Sequence, residues 1–333
     1  MYSDEDLDDA VQQGIFTDAA VKRFKAAVTT QSQRVAVDEE NFRLVSSFND
    51  IFVAMACLLL LFCALWMLKP VGSHDSVGLA VFSMLAWVLA EVFVLKRKMA
   101  LPAIALLLCF IGGLFAFVVS LFGESSETAL MVAAAVCSAA AYAHWLRFRV
   151  PITLAAGTAA VLGFIVLLLL NVFSYSTPLL LILLFLAGLL TFCLAMYWDG
   201  KDKFRNSRHS DVAFWLHLLS APLMIHPVFA GLGVLDGNEQ LGHLAIIILL
   251  YLFLSAVSIA IDRRAFMFSA LAYVLYALSS LFKDYGGVGY SFALTGVCMG
   301  AMLLFISAFW QQTRRLVVNL LPAPWQRFIP ELQ

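Results

Sequence analysis

The chain is a succession of apolar runs separated by short polar connections. After a mixed, polar opening, nearly uncharged runs recur at roughly 51–68, 77–95, 101–121, 128–146, 151–172, 178–197, 212–235, 241–260, 265–282 and 288–309. At about 1.5 Å per residue each can cross a hydrocarbon core about 30 Å thick as an α-helix. The runs are continuous rather than alternating at every second residue, which excludes a membrane β-barrel. The pattern predicts an all-α fold: a polytopic transmembrane helical bundle of about ten spans over residues 50–310. Pro102, Pro151 and Pro178 fall at first turns of the third, fifth and sixth spans, where a missing N–H costs nothing.

The flanks have a different pattern. Residues 1–49 read as a short N-terminal cytoplasmic or interfacial helical segment. Ser3 with Asp6 suits the cap of one short helix carrying Leu7, Ala10 and Val11, and Gly14 suits its end. Thr17 suits the cap of a second helix, with Val21, Phe24 and Val28 on one side and Lys22, Arg23 and Lys25 facing water. Phe42, Val45 and Phe52 then recur at helical spacing, either as an amphipathic lead-in at the membrane interface or as part of a plain solvated linker. Residues 311–333 mix Arg314, Arg315, Trp325 and Arg327 with leucines and prolines, which predicts a C-terminal interfacial tail.

Composition agrees with the pattern. With 62% hydrophobic and 13% charged residues, the chain lies far from a soluble globular domain. No basic patch with interleaved aromatics appears, so no nucleic-acid partner is expected. The polar, acidic start MYSDEDLDDA does not read as a signal peptide. All six cysteines lie inside apolar runs without a CxxC, which predicts free thiols and neither disulfide nor metal site. Charge settles the expected topology: of the 21 Lys and Arg residues, all but Lys69 and Lys283 fall before the first span, after the tenth, or in connections that follow even-numbered spans. By the positive-inside rule that side is the cytoplasm, with both termini on it.

Candidate chemistry concentrates in the seventh run, FWLHLLSAPLMIHPVFAGLGVL (214–235), which holds His217, His226, Pro222 and Pro227. Intramembrane histidines are costly and commonly face a protein interior or a watery cavity. Prolines remove backbone donors and break or bend a helix, and discontinuous helices in transporters expose backbone groups to ligands at mid-membrane. His217, His226, Pro222, Pro227 and Ser220 are therefore expected to form a ligand or proton pathway; the opposing reading is a kink that only fits its neighbours. Nine residues at about 100° each put the two histidines on opposite faces of an ideal helix, so a bis-histidine haem is not expected, nor any other cofactor. Glu91 is the one carboxylate well inside an apolar run. It is either a proton acceptor or, one turn from Lys96 to Lys98, a snorkelling partner of a lysine. Neither HExxH nor GxSxG occurs, so no catalytic residue is expected. Gly296 and Gly300 form a GxxxG and the fourth run is rich in alanine, both suited to close packing.

Through AVQQGIFTDAAVKRF (10–24), VSSFNDIFVA (45–54), DVAFWLHLLSAPLMIHPVF (211–229), DRRAF (262–266) and the Pro-rich tail, the chain resembles polytopic inner-membrane proteins of bacteria, including proteobacteria. In these a short helical module with a Gly-Ile turn precedes eight or more spans. The resemblance implies a multi-pass protein of the bacterial inner membrane and brings no settled activity. The first functional expectation is a permease-like protein that moves or binds a small molecule, ion or lipid at the seventh span. Its rival is a non-transporting platform whose N-terminal helices recruit a cytoplasmic protein partner. Deleting residues 1–40 separates the two.

Overall fold

A computed structural model describes residues 11, 13, 15–17, 19–24, 48–68, 76–122, 126–202, 208–233, 241–284 and 308–320, with isolated positions from 293 to 305 and residue 322. The chain divides into two compact units, Met1–Phe42 and Arg43–Leu332. In the first, residues 19–24 are helical and Thr17 caps them, accepting the Ala20 N–H on its hydroxyl at 3.3 Å. Of the expected apolar stripe, Val21 is buried and Phe24 exposed, while Val28 lies outside the described residues.

The second unit is all helix among its described residues. In order these are α1 (Phe48–Met67), α2 (Ser76–Lys96), α3 (Ala100–Ser120), α4 (Glu127–Phe148), α5 (Ile152–Phe173), α6 (Thr177–Lys201), α7 (Arg208–Gly231), α8 (Leu241–Ala260), α9 (Ala265–Asp284) and α10 (Trp310–Leu320). Helices α1 to α7 are long and apolar enough to cross a membrane, and shorter apolar helices occupy Ile246–Ala260 and Ala265–Leu275. The fold is thus an all-α bundle with seven long apolar candidate spans, and the first seven predicted spans coincide with them. The expected tenth span falls mostly outside the described residues.

Local chemistry explains where the helices start and stop. Ser126 and Ser176 accept the Ala129 and Leu179 amides at 3.1 and 3.4 Å, using donors that α4 and α6 leave unpaired at their N-termini. Pro102, Pro151 and Pro178 occupy helix starts, as their fixed φ favours. The last turns of α2 widen into a π-helix, Glu91–Lys96, where the Arg97 amide reaches back to the Val92 carbonyl at 3.1 Å. The apolar pattern of that run gave no sign of this extra residue.

Packing follows what lipid permits. Acyl chains are as apolar as leucine, so helices associate through close backbone approach rather than hydrophobic burial. Accordingly α4 turns Ala129, Ala133, Ala134, Cys137 and Ala141 inward, while Met55, Leu59, Leu190 and Phe253 on other helices point outward. Helix α6 approaches the backbone of α7 closely. A Cβ at Gly188 would lie 2.7–2.9 Å from Met224 and the Leu223 backbone, so only glycine fits. At the GxxxG of the last apolar run, a Cβ at Gly296 or Gly300 would meet nothing within 4 Å among the described residues.

Candidate functional site

Helix α7 is the best enclosed of the seven: 50% of its apolar window is buried, against 22–33% for the others. It packs against α5, α6 and α9. The expectation of an interrupted span is corrected here, because α7 runs unbroken from Arg208 to Gly231 with both prolines inside it. Pro222 and Pro227 leave the carbonyls of Leu218 and Leu223 without their i+4 amide. α6 lies closest to α7 at Gly188, beside the second of these, and contact with a neighbouring helix is what lets a membrane helix keep proline in its interior.

The seventh helix carries a charged cluster at its first turns. His217 Nε2 lies 2.9 Å from Asp199 Oδ2 on α6. Arg263, in the tight corner between α8 and α9, donates from Nη2 to Asp199 Oδ1 at 2.5 Å and from Nε to Oδ2 at 3.3 Å. The same Nη2 reaches the Ser210 hydroxyl and carbonyl at 3.2 and 3.3 Å. These side chains are closed off from solvent, with exposures of 1% for His217 and 3% for Asp199 and Arg263. Phe192 and Phe266 stand edge-on to the imidazole, 5.5 and 6.5 Å away between ring centres. The corner is held in turn: the Arg263 amide donates to the Ser258 carbonyl at 2.9 Å, and the Ser258 hydroxyl donates to the Arg263 carbonyl.

This arrangement answers an electrostatic problem. Asp199 sits two residues from the C-terminal end of α6, where the helix dipole disfavours a carboxylate. A buried carboxylate survives only with a charged partner and its lone pairs occupied. Arg263 cancels the charge, and His217 Nε2 serves a further lone pair of the carboxylate. The three groups come from three parts of the chain.

The expected site residues do not all converge. His217 is in the cluster, and Ser220, fully buried, donates its hydroxyl back to the His217 carbonyl at 3.0 Å. Pro227 is buried and Pro222 exposed. His226 is on the exposed side of α7, as the nine-residue spacing implied, with Nδ1 2.6 Å from the Tyr273 hydroxyl. Glu91 is remote from all of these. Its partner is not a lysine of the following loop but Arg147 on α4, which donates from Nε to Oε1 at 2.9 Å and from Nη2 to Oε2 at 2.7 Å. The pair is substantially exposed, with side-chain exposures of 32% and 55%.

Sequence reasoning missed Asp199 and Arg263, counting both as loop residues. The available signal was the position of Asp199: an acidic residue closing an apolar helix at its negative end needs a cation. Among the described residues no three of His, Cys, Asp and Glu gather as a metal site would require. The chain matches no protein-family model, no curated protein and no solved structure.

Proposed function

We propose that this integral membrane protein is permease-like, resides in the bacterial inner membrane, and binds or moves a small molecule, ion or lipid beside α7. The observation that carries the reading is the closed Asp199–His217–Arg263 cluster on the best-buried span. Buried ionisable groups in a membrane helix are expensive and mark pathways more often than ordinary packing does. Here a carboxylate is shared by a guanidinium and an imidazole, so an arriving anion can draw on Arg263 and an arriving cation on Asp199. Ten spans with both termini in the cytoplasm fit the charge alternation, and described positions between 293 and 308 are helical, in keeping with a tenth span. In this orientation the cluster lies at the cytoplasmic end of the bundle.

The test is a thermal-shift screen of the purified protein against metabolites, ions and pH, with His217→Ala and His226→Ala alongside the wild type. A ligand at a hundred times its Kd adds about 2.7 kcal/mol. A hit kept by His226→Ala and lost by a folded His217→Ala supports the site; a hit that survives His217→Ala refutes its placement. The platform reading is favoured by one observation, the separate compact unit Met1–Phe42. A cytoplasmic protein that co-purifies with the full chain and is lost on deleting residues 1–40, with no ligand found, would replace the permease reading.

A further inference from the structure

A groove of about 380 Å³ runs between α4, α5 and α6, and it raises a question independent of the α7 cluster. Its walls are apolar. The hydroxyls of Ser138, Thr158 and Thr191 line it but donate to carbonyls of their own helices, those of Ala134, Leu154 and Ala187. Outer lining residues such as Val161 and Leu190 are 45% and 64% exposed, so the groove opens sideways onto the surface that faces lipid. From Thr153 to Val161 it extends eight residues along α5, about 12 Å.

One end is different. Thr153 lines the groove and is buried, 1% exposed; its Oγ1 lies 3.1 Å from Nδ1 of His144, likewise 1% exposed. A neutral imidazole and a hydroxyl hold one N–H and one O–H. Their mutual bond uses one of these protons, and neither side chain makes another hydrogen bond among the described residues. With Nδ1–H donating to Oγ1, the Thr153 hydroxyl is left as a spare donor at one end of the apolar trough. His144 is fixed from behind by Trp87, Phe110 and Phe148, with ring centres 4.5–5.9 Å away. An acceptor in the groove at Thr153 would satisfy the pair, with Nδ1–H donating to Oγ1 and the Thr153 O–H donating onward. One turn earlier, at the α4–α5 corner, Arg149 is exposed and makes no side-chain ion pair among the described residues.

We propose that this groove is a specific site for an anionic phospholipid. One acyl chain lies in the trough, its ester carbonyl accepts from Thr153, and its phosphate meets Arg149. A hydrocarbon channel with a donor at its rim and a cation just beyond matches the order of parts in such a lipid: chain, ester, phosphate. Buried polar groups seek a partner, and lipid is the solvent into which this groove opens.

The test titrates detergent-purified full-length protein with phosphatidylglycerol, reading Kd from the melting temperature and from native mass spectrometry. The ester lipid is expected to bind about five-fold more tightly than its ether-linked analogue, which lacks the carbonyl, as one hydrogen bond is worth. Thr153→Val should weaken the ester lipid by the same factor and abolish the difference between the two. Gly157→Leu fills the trough from α5, where an added Cβ meets only Ala141 at 3.4 Å. This variant should melt no lower than wild type without lipid and lose lipid binding. Undiminished binding by Gly157→Leu, equal binding of ester and ether lipids to the wild type, or displacement of the lipid by a phosphate-free long-chain quinone at lower concentration would each overturn the proposal.

Discussion

Removing Arg263 tests whether the cluster is the closed ion pair its geometry describes. Arg263→Met keeps an unbranched apolar stem of similar reach and deletes the guanidinium, leaving Asp199 with His217 alone. Two unit charges about 4 Å apart attract by about 4 kcal/mol at an effective dielectric constant near 20. Breaking one partner of a buried pair costs about 3–5 kcal/mol in measured cases, because the other charge stays buried. With side-chain exposures of 3% on both partners, that full range applies and the variant should lose about 3–5 kcal/mol. Asp199→Leu strands the guanidinium instead and should cost about as much. The double variant removes both charges of the Asp199–Arg263 pair and leaves the His217 Nε2 and the Ser210 groups to be served otherwise, so it should fall within about 1–3 kcal/mol of wild type. The assay is unfolding free energy in mixed micelles, measured by titrating a denaturing detergent and following helicity for the four proteins. The expected signature is a large coupling energy, with the double variant more stable than either single. Additive losses below about 1 kcal/mol for each single would refute the reasoning. They would mean that water reaches Asp199 and that the side chains behave as a surface pair.

Two further predictions bear on the frame that holds the cluster. Gly188→Ala places a methyl group against the backbone of Leu223 and Met224, which cannot yield as a side-chain end would, and should cost about 2–3 kcal/mol in the same unfolding assay. Gly163→Ala on α5, where a Cβ meets nothing within 4 Å, should instead stabilise by up to about 1 kcal/mol. At the α8–α9 corner, Asp262 has φ 56° and accepts the Trp310 indole N–H at 2.7 Å. Asp262→Asn keeps both the left-handed backbone and an acceptor, whereas Asp262→Val strains the turn and frees α10, so limited proteolysis should release the C-terminal tail from the second variant alone.

The architecture was legible because lipid enforces one simple rule, that a span must be long and apolar, and seven runs obey it in both sequence and structure. What stayed hidden depended on pairing between distant residues. Asp199 and Arg263 are 64 positions apart and look like solvated loop charges, since nothing in either neighbourhood records the other. Glu91 misled for the same reason: three basic neighbours in sequence were outcompeted by Arg147, 56 positions away, because the π-turn and the α4 helix bring the two side chains together at the end of the bundle. The prolines misled differently. A missing amide in α7 reads as a break, yet the neighbouring α6 closes onto the helix at Gly188 and the helix continues. His226 followed its helical phase, and the exposed face that phase assigns it is the one the structure shows.

Helix association in lipid lacks the hydrophobic drive that aligns helices in water, so something else must fix how α7 sits on α6. Two different contacts do this. Gly188 against Leu223 and Met224 sets the distance between the backbones, while Asp199 with His217 sets rotation and register; they are separated by 11 residues along α6 and about seven along α7, roughly 16 and 10 Å. A single contact would leave the pair free to pivot, and two do not. Arg263 then ties the α8–α9 corner to the same carboxylate, and the adjacent Asp262 turns the opposite way to hold Trp310 and the buried Arg314 of α10. Burial pulls the Arg314 guanidinium below its ordinary range and the Asp262 charge draws it back, so α10 too is seated by charge as well as by its apolar Trp310 and Val318. One end of the bundle is thus joined through consecutive residues of a single tight corner. A ligand that competes for Asp199 or Arg263, as proposed, is expected to act on four helices at once.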